Sequence, residues 1–264
     1  MTLPPVPAAF HWTMEPWGSA LRCRPLDEIA PHLFTTRQLE LTPDGYGQIA
    51  EALGADRVAT ATQVHRAEVL VIRRDTADDV RMAPEADALV SDDPRAAIAV
   101  RAADCVPMVM ADRTRGVVAA VHAGWRGTAA RAAVAGLDSL GREFGTRPSD
   151  VVVAIGPSIG PCCYEVGSEL VDAFAAAGHE RHLIDRWFAA RPGSGSRFGR
   201  AAQGSLHLDV AGANRDQLIL AGVPEEQIHL AGLCTAMHLD VLTSYRVEKE
   251  KAGRIAAAIR ASAA

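Results

Sequence analysis

Between residues 57 and 112 the chain is a succession of short, β-branched apolar runs separated by turn signals. They fall at 58–65, 68–72, 86–91, 97–102 and 106–111, and another buried-type run follows at 116–121. Apolar runs of this length, bounded by turns, read as strands rather than helices. Residues 151–155 and 228–233 repeat the pattern. Helical spacing of Ala, Leu and Val appears at 129–144, with Thr128 placed to cap it, and again at 168–177 and 209–221, each closed by glycine. Strands and helices mix without strict βαβ alternation. The expectation is therefore an α/β fold of α+β type: one domain over 1–264, a mixed β-sheet core with flanking helices, and an irregular N-terminal segment at 1–30, rich in Pro and Trp. Residues 191–204, RPGSGSRFGRAAQG, read as a mobile loop. The alanines after Gly253 favour helix on propensity alone.

Composition narrows the partners. With 48% hydrophobic and 22% charged residues the chain is globular, not disordered or fibrous. A net charge of −5 gives no basic field for nucleic acid. No apolar run approaches the ~20 residues of a membrane helix, and the N-terminus lacks the basic and apolar regions of a signal peptide. Five cysteines, an odd number with two adjacent, make a poor disulfide framework and point to a reducing cytoplasm. Every basic residue except Lys249 and Lys251 is arginine.

Three segments carry the chemistry: Gln63-Val64-His65, Ala103-Asp104-Cys105-Val106-Pro107 and His122-Ala123-Gly124-Trp125-Arg126-Gly127. Each puts a His or Cys at a strand end or before a turn, where open sheets present reactive groups. His65, Cys105 and His122 lie 40 and 17 residues apart, which is not the close pairing of a structural zinc finger. Three ligands from separate elements with an open fourth position is the pattern of catalytic zinc, and the same donors also suit copper. Without a metal, Cys105 as nucleophile and His122 as base make a cysteine hydrolase. A strand cysteine is more often simply core. The HAGWRG glycines suit a tight turn into a helix, with Arg126 as a bidentate phosphate contact. Asp87 and Asp104 read either as supports for the ligands or as turn carboxylates. His11, His32, His179 and His182 read as surface residues, His207 and His229 as structural, and Cys162-Cys163 as buried packing.

QVH, ADCVP, HAGWRG, GPSIGPCCYEVG, HLDVAGANRDQL and CT…SYR…GR occur in that order, and this ordered set resembles the YfiH-like family of laccase-domain proteins from about residue 31 to 258. The resemblance implies a single α/β domain with a strand after Gly253, and one zinc ion held by His65, Cys105 and His122, which would be the catalytic set. It implies a purine nucleoside phosphorylase acting on adenosine, inosine, guanosine or methylthioadenosine with phosphate, with adenosine deamination as companion. Peptidoglycan precursor editing is a further family activity. A non-catalytic nucleotide or metal binder is the alternative from another class. One Cys and two His do not build the several copper sites of a laccase. Arg37 matches the family's N-terminal arginine, and Arg246 and Arg254 match those of SYR and GR; Arg37, Arg126 and Arg246 are the expected phosphate or substrate contacts, with Asp104 supporting the ligands. The chain departs from the family where Gln38-Leu39-Glu40-Leu41 replaces a Gly-Gly-x-Ser loop. The Asn-Arg pair before QVH is missing, Val247 replaces a second arginine, and Arg101 stands where relatives carry a small polar residue. The expected partners are a purine nucleoside and phosphate, with no nucleic acid and no membrane; monomer and dimer both remain open.

Overall fold

In the computed structural model, which describes residues 2–75, 84–189 and 205–262, the apolar runs at 88–91, 106–112, 118–123 and 151–155 are strands buried on both faces. The first half comprises β1 (Phe10–Glu15), β2 (Gly18–Cys23), α1 (Arg24–Asp27), β3 (His32–Thr35), α2 (Pro43–Leu53), β4 (Arg57–Ala59), β5 (Val69–Ile72), β6 (Ala88–Ser91), β7 (Ala96–Ala102), β8 (Val106–Asp112) and β9 (Val118–Ala123). Then come α3 (Trp125–Ala129), α4 (Ala132–Phe144), β10 (Val151–Ile155), β11 (Glu165–Val166), α5 (Ser168–Ala176), α6 (Arg181–Trp187), β12 (Leu206–His207), α7 (Val210–Leu220), β13 (Ile228–Leu230), α8 (Tyr245–Glu248) and β14 (Ile255–Arg260). Twelve strands divide between two six-stranded sheets, β1-β2-β3-β14-β7-β4 and β13-β10-β8-β9-β6-β5, and β11 and β12 form a separate antiparallel pair. Both are mixed: β4 and β7, β5 and β6, and β10 and β13 pair in parallel, and the remaining neighbours are antiparallel.

Alternate residues of one strand belong to different cores. Leu89, Val109, Val118 and Ala120 share a core with Leu21, Phe34, Ile98, Val100, Ile255 and Ile259 of the other sheet. Their neighbours Val90, Met108, Met110, Ala119 and Val121 pack with Leu137 and Leu140 of α4 and Leu218 of α7. On the far side of the first sheet, Ala97, Ala99, Ala256 and Ala258 meet Ile49 and Leu53 of α2. The result is four layers: helix, sheet, sheet, helices. Strands covered on both faces read as continuous apolar runs, which is why no alternation marks them in the sequence.

Several expectations are corrected. The N-terminal segment is not irregular: β1 and β2 form an antiparallel hairpin pairing Phe10 with Cys23 through Glu15 with Gly18. The run at 58–65 is a strand only to Ala59. Thr128 does not cap a helix. Gly124 caps α3, the chain breaks at Arg131 with φ 60°, and α4 starts at Ala132. Thr128 is buried instead and serves α7: its Oγ1 accepts from Asn214 Nδ2 at 2.9 Å and its carbonyl from Gln217 Nε2 at 2.9 Å. The alanines after Gly253 form β14, as the family resemblance implies, because pairing on both edges and close packing under α2 outweigh a preference of a few tenths of a kcal/mol. Five helices escaped the sequence reading: the longer α2 and α6, and the one-turn elements α1, α3 and α8. For α2 the signals were present: Thr42 accepts from the Gly45 N–H, Pro43 opens the helix, and Gly54 closes it at φ 64°. The loop expected at 191–204 lies outside the described residues. No helix among the described residues is long and apolar enough to cross a membrane.

His32 and His179 are buried, not on the surface. The His32 ring is satisfied only when neutral. Its Nδ1–H donates to the Ala30 carbonyl at 2.9 Å and its Nε2 accepts the Cys23 N–H at 2.8 Å. Burial pulls its pKa down to about 4. The unfolded state therefore takes up a proton that the folded state refuses below the ordinary histidine value near 6.5. Stability contributed by His32 is whole above about pH 6.5 and is lost as pH falls toward 4, by up to ~3 kcal/mol. Denaturant unfolding across this window should show a fall that a stably folded His32→Gln variant lacks; parallel curves for the two proteins would refute the assignment.

Candidate metal centre

The site is assembled around Asp87, which precedes β6 and is fully buried. Its carboxylate accepts the N–H groups of Val64 at 3.2 Å, His65 at 3.0 Å and Arg66 at 2.7 Å. It also accepts the Nδ1–H of His122 at 2.8 Å. The three N–H bonds hold the QVH turn, where His65 adopts φ 62°, an unusual conformation for a residue other than glycine. The fourth fixes the His122 ring at the end of β9 and leaves Nε2 for the cleft. Gln63 completes the turn: its side chain donates to the Arg101 carbonyl and accepts the Arg101 N–H, both at 2.8 Å.

Cys105 stands between β7 and β8, after Asp104 at φ 89°. Asp104 accepts from Thr235 Oγ1 and from the Arg246 N–H, each at 2.6 Å, and its carbonyl accepts the Ile159 N–H at 2.9 Å. It bonds to no ligand side chain in the cluster. It anchors the cysteine turn to the C-terminal segments instead, and Asp87 is the residue that orients a ligand.

The structure brings together the three residues singled out in the sequence. The donor atoms of His65, Cys105 and His122 lie within 4.8 Å of one another, close enough to share one ion. The two imidazoles meet edge to face with centroids 4.9 Å apart. His65 is exposed, Cys105 half-buried and His122 buried, so the cluster opens on one side. Gly124 is required by space. A Cβ there would lie 2.8 Å from Cys105 Sγ and 3.2 Å from His65 Cδ2. Burial pushes the Asp87 carboxyl up, but the His122 ring and the Arg66 and His65 N–H groups outweigh it and hold it below the usual carboxylate range. Burial likewise raises the Cys105 thiol, and hydrogen bonds and charge from His122 and His65 bring it down to about 7. Burial lowers His122, while Asp87 and Cys105 lift it to about 9. Two imidazoles and an acidic thiol, with a carboxylate behind one ring, are a donor set for a divalent transition metal.

The donors face a cleft of about 780 Å³ whose walls include Arg101, Arg126, Tyr164, Tyr245, Arg246, Lys249 and Arg254. Arg126 stacks on Trp125 at 4.3 Å and Arg246 on Tyr164 at 5.1 Å. Among the described residues neither has a carboxylate partner. Arg37 does not line the cleft. Its guanidinium pairs with Glu248 at 3.0 Å and donates to the carbonyls of Leu239 and Leu242, fastening the segment that carries Arg246. Tyr164, Tyr245 and Lys249 went unmarked in the sequence reading. Tyr245 and Lys249 come from α8 and the turn after it, about 140 residues from Cys105, and no local pattern announces them.

Fold and site define a single-domain α/β protein in which paired mixed sheets present a His/Cys/His donor set to a basic cleft. Residues 44–262 match the family model of multi-copper polyphenol oxidoreductase laccases, and the chain belongs to that family. It is 34% identical over 228 residues to a Bacteroides thetaiotaomicron protein named purine nucleoside phosphorylase, covering 84% of this chain and 78% of that one. It is 37% identical over 187 residues to a protein of an unknown prokaryotic organism named adenosine deaminase RL5, covering 68% and 66%. Among solved structures, the Bacillus licheniformis hypothetical protein YfiH superposes with a TM-score of 0.80 at 26% identity, covering 95% of this chain and 99% of that one.

An Asp87→Asn variant keeps the shape and removes the charge behind His122. Its affinity for added Zn²⁺, measured by competition with a chromophoric chelator, should fall about 10- to 100-fold. Unchanged affinity would leave Asp87 with a purely structural role.

Proposed function

We propose that this chain is a zinc-dependent purine nucleoside phosphorylase, converting adenosine, inosine, guanosine or methylthioadenosine plus phosphate to free base and ribose 1-phosphate, with adenosine deamination as a companion activity. The observation that carries the reading is the His65/Cys105/His122 donor set opening into a cleft lined by aromatic rings and by Arg126 and Arg246, which have no carboxylate partner among the described residues. The names of the relatives support it. His65, Cys105 and His122 would hold the zinc, which supplies Lewis acidity and activates water near neutral pH. Zinc is favoured over copper at this site because three donors of this kind do not make the multiple copper centres of an oxidase. No disulfide joins any of the five cysteines, which suits a reducing cytoplasm.

The remaining work falls to the chain's own groups. Arg126 and Arg246, held over the rings of Trp125 and Tyr164, have N–H groups to offer two oxygens of a phosphate dianion. They orient it toward C1′ of the ribose, where a phosphate oxygen forms the new bond as the N9–C1′ pair leaves with the base, which takes up a proton. Their charge also stabilises the phosphate as positive charge develops on the sugar. Tyr245, an exposed ring on the cleft wall, is the group available to a purine. Asp87, by fixing His122, keeps the donor set in register with the cleft.

A chromatographic product assay on zinc-quantified protein tests this, with adenosine, inosine and methylthioadenosine, each with and without phosphate. Base release should require phosphate. His65→Ala, Cys105→Ala and His122→Ala should each lower kcat/KM by at least ~10²-fold, and Arg126→Ala or Arg246→Ala should raise the KM for phosphate by about tenfold or more. A folded Cys105→Ala protein with full activity would sink the proposal. One observation favours a second reading. Asp87, His122 and Cys105 form the relay of a thiol hydrolase, with the thiol brought down to about 7. In that case activity survives complete zinc removal, needs no phosphate and is lost on alkylation of Cys105.

A further inference from the structure

The molecule contains a second cluster of soft ligands that the nucleoside reaction does not use. Cys162 and Cys163 lie in the turn before β11, and Cys234 lies in the segment after β13. These segments are zipped together. Ser158 and Cys234 form a parallel bridge, the Ser158 N–H donates to the Leu233 carbonyl at 3.2 Å, and the Thr235 N–H donates to the Ser158 carbonyl at 3.0 Å. The pairing places the sulfur atoms of Cys162, Cys163 and Cys234 within 4.8 Å of one another. None of the three lines the cleft.

We propose that Cys162, Cys163 and Cys234 form a second metal site that takes one soft monovalent d¹⁰ cation, Cu(I). Three sulfurs sharing an ion at ~2.3 Å lie ~4 Å apart, a spacing this cluster accommodates. The space between them is kept by Gly160, where a Cβ would sit 3.3 Å from Cys162 Sγ and 3.2 Å from Cys234 Cβ. The Gly160 N–H points at Cys234 Sγ from 3.2 Å, a donor that stabilises a thiolate. The Cys162 thiol, with the N–H groups of Gly160, Met237 and Ala236, holds Cys234 below the ordinary thiol range, and Cys162 is raised in turn. Cys163 and Cys234 are buried, and half-buried Cys162 is the point of entry. Ligand type and number choose the ion. Thiolates select soft cations, structural zinc requires four donors, and this cluster among the described residues has three. Binding exchanges thiol protons for the metal and releases them to solvent. No electron moves, and copper stays in the +1 state.

The test uses the full chain, anaerobic and preloaded with one equivalent of Zn²⁺, titrated with Cu(I) against bicinchoninate, with X-ray absorption on the copper-loaded wild type. We expect one Cu(I) per chain in an all-sulfur shell near 2.3 Å. We expect at least a tenfold loss of affinity in Cys162→Ser and in Cys234→Ser, and retention in Cys105→Ser. Nitrogen in the copper shell, uptake lost in Cys105→Ser, equal uptake by a Cys162→Ser/Cys234→Ser protein, or a second Zn²⁺ taken in preference to Cu(I) would each overturn the proposal. The absorption measurement needs no variant, so misfolding of a substituted protein does not rescue it.

Discussion

The carboxylate of Asp87 is withdrawn from water and repaid by four hydrogen bonds, three from the turn that carries His65 and one from the ring of His122. A buried charge of this kind is tolerable only when its lone pairs are met. Removing one partner from such a set costs about 3–5 kcal/mol. That requirement welds a loop to a strand end. The left-handed backbone at His65 is unfavourable alone and persists because the neighbouring N–H groups have one buried acceptor to converge on. The two histidine donors are therefore placed by satisfying a single acid.

The opposite wall of the cleft is organised by a second carboxylate. Asp104 joins the turn before Cys105 to Thr235 and to the backbone of Arg246, so the C-terminal segment reaches back across the molecule to the middle of the chain. Arg37 and Glu248 add an ion pair to the same segment from the N-terminal side. A cationic cleft built this way needs no basic protein. The excess of acid over base in the whole chain says nothing about the few arginines that the fold leaves unpaired at one place.

What could be read in the sequence follows from which forces are local. The strands at 97–102, 106–111 and 151–155 were legible because burial on both faces makes each an unbroken apolar run. The β1–β2 hairpin was not, since much of β1 is only half-buried and its Trp12, Thr13 and Glu15 mimic an irregular segment. Thr128 misled because a hydroxyl in front of an alanine-rich stretch is a good cap, whereas here it serves Asn214, 86 residues away. Cys105 and His122 were found because strand ends expose reactive side chains, whereas His65 lies in a turn six residues beyond the end of β4 and the strand expected to carry it stops short. Arg37 was placed at the substrate by its motif alone, and only the fold could show its carboxylate partner.

The division of each central strand between two cores has a consequence for how the sheets find their alignment. In a strand with one wet face, slipping by one residue carries the apolar set into water, and that penalty fixes the pairing. Here a slip would only exchange one dry layer for another, so hydrophobicity is nearly silent about alignment. Side-chain volume must speak instead. Ala97, Ala99, Ala256 and Ala258 are small enough to lie under α2, and Ile98, Val100, Ile255 and Ile259 are large enough to fill the space between the sheets. Acids at the strand ends act as stops. Asp112 is spent on Thr114 and Arg115, as Asp87 is spent on the QVH turn, and neither has an equivalent partner one residue along. The groups that prepare the chemistry at one end of these strands thus also act as the rulers by which the strands are measured.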